Sequence, residues 1–284
     1  MPRSIFLFLI LVPGLRPQAE GDPGAIVRRA LLNNERNRDL ERSYTYTERN
    51  EERTLDHAGK VTRVKSETWD VIPLQGAQFR RLTLRDDKPL SPKEEQQQEA
   101  ARQKREAERL KQRALREKET PEQKQKRLDA RERNRKQHEE DVDDVIAGFD
   151  LRMKGEERID GMPVWVIDGA PRDGYEFKSR DAKMFLGKMK GRVWISQKDC
   201  QVVRIDAETT GTISFGLFLA RIYKGTRVQA EYAYVNNEVW LPKREMATVS
   251  ARLALIKGIH QEEELAYTNY RKFSTDSRIV DIDQ

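Results

Sequence analysis

The amino-acid sequence predicts a mainly β (α+β) fold: an antiparallel sheet of about ten to eleven strands, led by one helix and interrupted by a long helical insertion. Three observations carry this. Runs rich in Val, Ile, Thr, Tyr and Trp recur along the chain, separated by short turn signals such as His57-Ala58-Gly59-Lys60, Asp160-Gly161 and Asn236-Asn237. Short connections imply antiparallel neighbours. From Lys93 to Asp144 the composition changes abruptly, to 16 basic and 15 acidic side chains with no aromatic residue.

The first residues read as an address. Met1–Ala19 has one early positive charge, Arg3, an apolar run from Ile5 to Val12, and a break at Pro13-Gly14. That is the pattern of a secretory signal peptide, and the run is too short to span a bilayer. No cysteine follows the run, so the expected mature protein is exported, soluble and without a lipid anchor.

Residues 20–90 open the β domain. Asp22-Pro23 reads as an N-cap with proline at the first helical position. Ile26, Val27, Ala30 and Leu31 then place one apolar stripe on a helix expected to end near Asn37. A hairpin follows from Ser43 to Leu74, and Gln78–Asp87 adds a third strand.

Residues 91–147 form the insertion. Ser91-Pro92-Lys93-Glu94 and Thr120-Pro121-Glu122-Gln123 both match a capping box with proline at the first helical position. Each predicts a helix about 40 Å long. The single residue Thr120 left between them favours a long kinked helix over a tight hairpin. Sparse apolar residues make a solvated arm the expectation, held by i,i+4 ion pairs. Without an aromatic residue to stack a base, the arm is a poor nucleic-acid surface. The net charge of +6 is likewise too evenly spread to argue for nucleic acid.

Residues 148–284 hold the remaining strands. Val164-Trp165-Val166-Ile167, Val193-Trp194-Ile195 and Val239-Trp240-Leu241 are apolar on both faces, where a half-solvated strand would alternate. Either two sheets fill a sandwich core, or a curved sheet surrounds an apolar cavity partly plugged by the N-terminal helix. In the second arrangement Trp165, Trp194 and Trp240 are the candidate cavity residues. Ile213–Ile222 is the most apolar run after the leader and reads as a central strand. Alternatively Phe215, Leu217 and Phe218 form a flap, with Gly216 permitting the motion.

Catalytic and metal patterns are weak. Gly211-Thr212-Ile213-Ser214-Phe215-Gly216 fails the nucleophile-elbow pattern because Thr212 stands where glycine is required. The single cysteine, Cys200, excludes a disulfide framework and reads as a buried small hydrophobe in a strand. His260 precedes Gln261 and three glutamates, a segment expected to be a surface turn. No cofactor and no metal site are expected, and no enzymatic activity.

The order of elements and three local patterns resemble the periplasmic lipoprotein-carrier (LolA-like) family and its wider group of outer-membrane lipoprotein-sorting proteins. The patterns are Gly161–Ile167, then Gly191–Ile195 through Asp199 to Val203-Arg204-Ile205, then Val239–Pro242. The charged insertion lies outside that family's core, and Ser196 replaces an Asp that often follows its Trp-Ile pair. The resemblance implies a half-open β-barrel whose apolar concave face holds lipid or lipoprotein acyl chains without catalysis. It also implies a monomer working with a membrane-associated donor or acceptor protein. The alternatives from the residues alone are an exported scaffold that recruits partners through its arm, and an exported hydrolase with a nonstandard site.

Overall fold

The computed structural model describes residues 21–74, 77–215, 220–253 and 257–273. In chain order it contains α1 (Pro23–Glu41), β1 (Tyr44–Leu55), β2 (Val61–Leu74), β3 (Ala77–Arg85), β4 (Lys88–Pro89), α2 (Pro92–Glu117) and α3 (Pro121–Gly148). There follow β5 (Phe149–Ile159), β6 (Met162–Pro171), α4 (Arg180–Phe185), β7 (Met189–Ser196), β8 (Val202–Thr209), β9 (Ile213–Phe215) and β10 (Ala220–Ile222). The last elements are β11 (Arg227–Val235), β12 (Val239–Leu253) and β13 (Lys257–Lys272).

All thirteen strands join one antiparallel sheet in the order β4-β3-β2-β1-β13-β12-β11-β8-β7-β6-β5, with β10 on β12 and β9 on β10. The sheet does not close, since β4 and β5 stand at opposite ends. The strand count exceeds the expectation by a few because two short pieces were hidden. One is β4, a two-residue pairing against β3. The other is the run 213–222, which is not one central strand. It folds back on itself as β9 and β10, with Phe215 opposite Ala220. The flap candidates Leu217 and Phe218 lie outside the described residues. The short helix α4 was likewise unanticipated.

Local chemistry explains the helices. Asp22 accepts from the backbone N–H of Gly24 at 3.2 Å and Ala25 at 3.1 Å, starting α1 as expected, though α1 runs four residues beyond Asn37. Both capping boxes form. Ser91 and Glu94 bond reciprocally, as do Thr120 and Gln123, each offsetting otherwise orphaned N–H groups. Helices α2 and α3 are separated by residues 118–120 and make no sustained contact with each other, so they are not a packed hairpin. Their feet stand on opposite ends of the sheet. Near the start of α2, Gln98 donates to the Leu82 carbonyl at 3.3 Å and accepts from the Leu82 N–H at 3.0 Å, capping the outer edge of β3. At the end of α3, Val142 is buried against the protein and Asp143 bonds Arg28 of α1 at 2.8 Å. Buried Asp144 accepts from the Tyr175 hydroxyl at 2.8 Å and the Lys178 N–H at 2.9 Å. The arm is therefore exposed only between anchored ends, with Leu110, Leu115 and Leu128 outward.

The main core lies between α1 and the β5–β8 end of the sheet. Ile26, Val27 and Ala30 of α1 pack with Ile167 and Ile195, flanked by Leu151, Met153, Trp165 and Val193. Cys200 is buried in the same cluster, as a small hydrophobe. It sits in the turn before β8 at φ +52°, not in the strand. Asn37 extends this contact to β12 by clamping the backbone of Trp240, accepting from its N–H at 3.0 Å and donating to its carbonyl at 2.6 Å.

Candidate ligand-binding face of the sheet

Strand alternation and register divide the sheet into two faces. The face bearing α1 is called inner. It carries Trp165, Ile167, Val193, Ile195 and Ile205 at one end, then Ala230, Glu245 and Leu265, then Tyr267, Glu48 and Tyr46, then Trp69, Val71 and Leu82. The outer face is a ladder of ion pairs. Asp168–Arg192 at 2.6 Å, Lys190–Glu208 at 2.9 Å, Arg204–Glu231 at 3.2 Å and Arg244–Glu264 at 2.7 Å run across it, with Asp206–Arg227 between them. These pairs hold the Asp168 and Asp206 carboxyls below their ordinary range, because each accepts hydrogen bonds from a guanidinium.

On the inner face the electrostatics reverse. Glu41, at the end of α1, lies close enough to Glu245 for the two charges to repel, and burial pushes both carboxyls up. Burial also raises Glu48, against the opposing effect of its Arg80 partner. Burial pushes the Tyr46 hydroxyl up to about 12, and raises Tyr232, Tyr267 and Tyr270 as well. The rings of Tyr46 and Tyr270 lie 5.3 Å apart and those of Tyr46 and Tyr267 5.9 Å apart. This half of the inner face is aromatic around Glu41, Glu48 and Glu245, whose carboxyls are costly to ionise, and Asn50, Glu52, Lys65, Glu67 and Glu263 continue the same face toward the β1–β2 turn.

Helix α1 covers only part of this face. It packs along β5, β7, β8 and β12, whereas no helix makes sustained contact with β1, β2 or β13. Trp69, Tyr46, Leu265 and Tyr267 are all only half-buried there. The strands left uncovered, β3, β2, β1 and β13, span three strand spacings, on the order of 14 Å.

Two of the three tryptophans singled out from the sequence, Trp194 and Trp240, meet in one buried cluster with Val164, Val166 and Val203, and Trp165 lies apart. Trp165 lies on the inner face, half-buried beneath α1. Trp194 pairs with Val166 on the outer face and lines a groove of about 590 Å³ among Asp168, Arg192 and Asp206. Its indole N–H bonds Glu157 at 2.9 Å, and the Arg192 and Arg204 guanidiniums lie over its ring. Trp240 is buried in that cluster with Trp194, its indole N–H on Asp199 at 2.8 Å and its backbone held by Asn37 of α1. The doubly apolar reading of β6 and β7 holds locally, because Val164 and Val166 are buried on one side and Ile167 and Ile195 on the other. Phe215 is placed in β9 by its pairing with Ala220.

Sequence reasoning missed Trp69, Tyr46 and Tyr267 as site candidates. Alternation in Tyr44-Thr45-Tyr46-Thr47-Glu48 was the available signal, but it says only that these residues share a face. The His260 segment also needs correction. It is not a surface turn but part of β13, with His260 opposite Ser250. A strand sends Glu262 and Glu264 to one face and Glu263 to the other, so they diverge. Among the described residues no group of three or more His, Cys, Asp or Glu is placed to hold a metal, and no helix is long and apolar enough to cross a membrane.

The architecture so defined is an open antiparallel sheet with ion pairs across much of its outer face and an inner face, partly covered by α1, on which an aromatic and apolar patch adjoins carboxylates. No family model and no curated protein matches the chain. Solved structures do. One is a DUF1329 family protein from Desulfovibrio piger, at 10% identity and TM-score 0.28, over 91% of this chain and 96% of that one. Another is described as a putative outer membrane lipoprotein-sorting protein domain from Vibrio parahaemolyticus, at 9% identity and TM-score 0.30, over 89% and 95%. A third is a LolA superfamily protein from Nitrosomonas europaea, at 11% identity and TM-score 0.25, over 83% and 91%. At such values the likeness carries no argument about function, which rests on the site.

Proposed function

We propose that the protein is a non-enzymatic periplasmic carrier or sensor that holds lipid or lipoprotein acyl chains on the uncovered half of its inner face. One observation carries the reading: the outer face of the sheet is crossed by ion pairs, while on the inner face the patch of Tyr46, Trp69, Leu265 and Tyr267 is left half-buried where α1 does not reach. A partly covered apolar face is the kind of surface that acyl chains complete. Burying a chain at about 0.8 kcal/mol per CH₂ offers roughly 10 kcal/mol for twelve carbons before ordering costs, enough for micromolar affinity. The sequence resemblance to lipoprotein carriers supports the same reading, as does the signal-peptide pattern of Met1–Ala19. On this reading the chain-contacting residues are Trp69, Tyr46, Leu265 and Tyr267, with Trp165 at the border of α1. A membrane-associated donor or acceptor would exchange the cargo.

The test uses two adjacent residues on opposite faces. Leu265→Glu places a charge on the inner face, and Ala266→Glu places one on the outer face between Arg49 and Arg244, its cross-strand neighbours. Titration with a fluorescent fatty acid should show binding abolished by the first and unchanged by the second. Equal affinity of both variants and the parent would refute the assignment. The scaffold reading draws on the exposed Leu110, Leu115 and Leu128 of the arm. It predicts instead that no acyl ligand binds and that changing these leucines releases a protein partner.

A further inference from the structure

The uncovered inner face opens at one end into a cleft of about 260 Å³ between β3 and α2. We infer that this cleft receives the anionic, phosphate-bearing headgroup of the amphiphile whose chain lies on the inner face, an assignment that rests on the acyl-binding reading above. Its floor is apolar, made by Trp69, Leu82 and Ala101, and continuous with Val71 and Tyr46 on neighbouring strands. Its rim carries four arginines, Arg80, Arg85, Arg102 and Arg105, against one lining carboxylate, Glu94. Glu94 is taken by Arg85, which also reaches Glu67 at 3.4 Å. Arg102 is engaged by Glu99 at 2.6 Å and Glu106 at 3.4 Å along α2. Arg80 bonds Glu48 and stacks on Trp69, its guanidinium carbon 5.0 Å from the ring centre. Arg105 has no ion-pair partner among the described residues.

The cleft is thus an apolar slot whose rim is arginine-rich, with three guanidiniums held by carboxylates and one, Arg105, uncommitted, whose planar fork of donors suits phosphate oxygens. The Gln98–Leu82 clamp fixes α2 against β3, so the rim is held at a set distance from the sheet. The uncommitted Arg105 at this opening gives the inner face a polarity: headgroup at the β3 edge, chain tail directed toward α1. Binding of an anionic amphiphile should therefore weaken with salt, and binding of a neutral one should not.

The experiment compares two single-chain C12 amphiphiles below their micellar concentrations, lauroyl-lysophosphatidylglycerol (anionic) and dodecyl maltoside (neutral). The proteins are the full chain, Arg105→Glu, and Arg131→Glu, which makes the same charge change on an exposed site of α3. The parent and Arg131→Glu should bind the anionic amphiphile at least tenfold tighter than the maltoside. Arg105→Glu should erase that difference and leave maltoside affinity unchanged. Equal parental affinity for the two amphiphiles, or equal losses in the two variants, would overturn the headgroup assignment while leaving chain binding intact. Failure of the parent to bind either amphiphile would instead overturn the acyl-binding reading and this inference with it. Glycerol 1-phosphate, the headgroup without a chain, should compete only weakly. Competition as tight as the lysolipid's would make the cleft a free-anion site and refute the lipid assignment.

Discussion

The two faces of the sheet use carboxylates in opposite ways. On the outer face Asp168 and Asp206 are ionised partners of arginines, and their proton affinity is lowered. On the inner face Glu41, Glu48 and Glu245 are desolvated and near one another, and their proton affinity is raised. The outer face is crossed by ion pairs, whereas the inner one keeps a half-buried aromatic patch beyond the reach of α1.

The largest break in this comparison should come from Ile167 and Asp168, adjacent in β6. Ile167 is fully buried beneath α1, so Ile167→Ala should cost about 2–5 kcal/mol through lost burial and the cavity left behind. Urea unfolding measures it. A loss below about 1 kcal/mol would show that α1 is loosely seated.

Next in size is the anchor of the arm. Asp144→Ala leaves the Tyr175 hydroxyl and Lys178 N–H without their acceptor and should cost roughly 1–3 kcal/mol. The change should also raise amide exchange in residues 172–179. Unchanged exchange there would separate the loop from the arm.

The sharpest test of the two faces is pH. A carboxyl with a raised folded-state pKa binds its proton more tightly in the folded protein, so stability falls as pH rises from the unfolded value toward the folded one. The inner-face Glu245 therefore opposes folding at neutral pH, and Glu245→Gln should stabilise the protein there. The gain should fade as pH falls from the raised folded-state value toward about 4.3, the ordinary glutamate value, and be gone below it. For Asp168 the sign is opposite. Its lowered pKa contributes stability above the unfolded value of about 3.9, and that stability is lost as pH falls through the folded value. Denaturant titrations of both variants across pH 3–8 would show slopes of opposite sign. Parallel slopes would contradict the division of the faces.

The smallest effect belongs to Asp168→Asn at neutral pH. Its pair with Arg192 is solvent-accessible, and such pairs are worth about 0–1 kcal/mol. A loss much above that range would mean that the outer ladder acts as a connected network.

Much of this fold was legible along the chain. The helix starts at Asp22, Ser91 and Thr120 depend on hydrogen bonds between residues two or three apart, so a local pattern suffices to place them. The hairpins of β1–β2 and β5–β6 follow from period-two runs and the turns between them, for the same reason. The half-open arrangement came into view only through resemblance to a known family, because alternation says that two faces differ without saying which is covered. Trp194 and Trp165 are 29 positions apart and equally apolar in sequence, yet register sends one to the outer groove and the other beneath α1.

The sequence by itself determined where the capped helices and the long strands of the hairpins begin, which segment is a charged arm and which residues alternate, since nearest-neighbour sterics and short-range hydrogen bonds decide those. Only the tertiary structure decided that β1 pairs with β13 more than 200 residues away, bringing Glu48 opposite Tyr267 and near Glu245. It likewise decided that Gln98 caps β3 and sets the arginines of α2 beside Trp69. Such meetings depend on how distant segments share one buried surface, a property of the whole packed chain that no local pattern records.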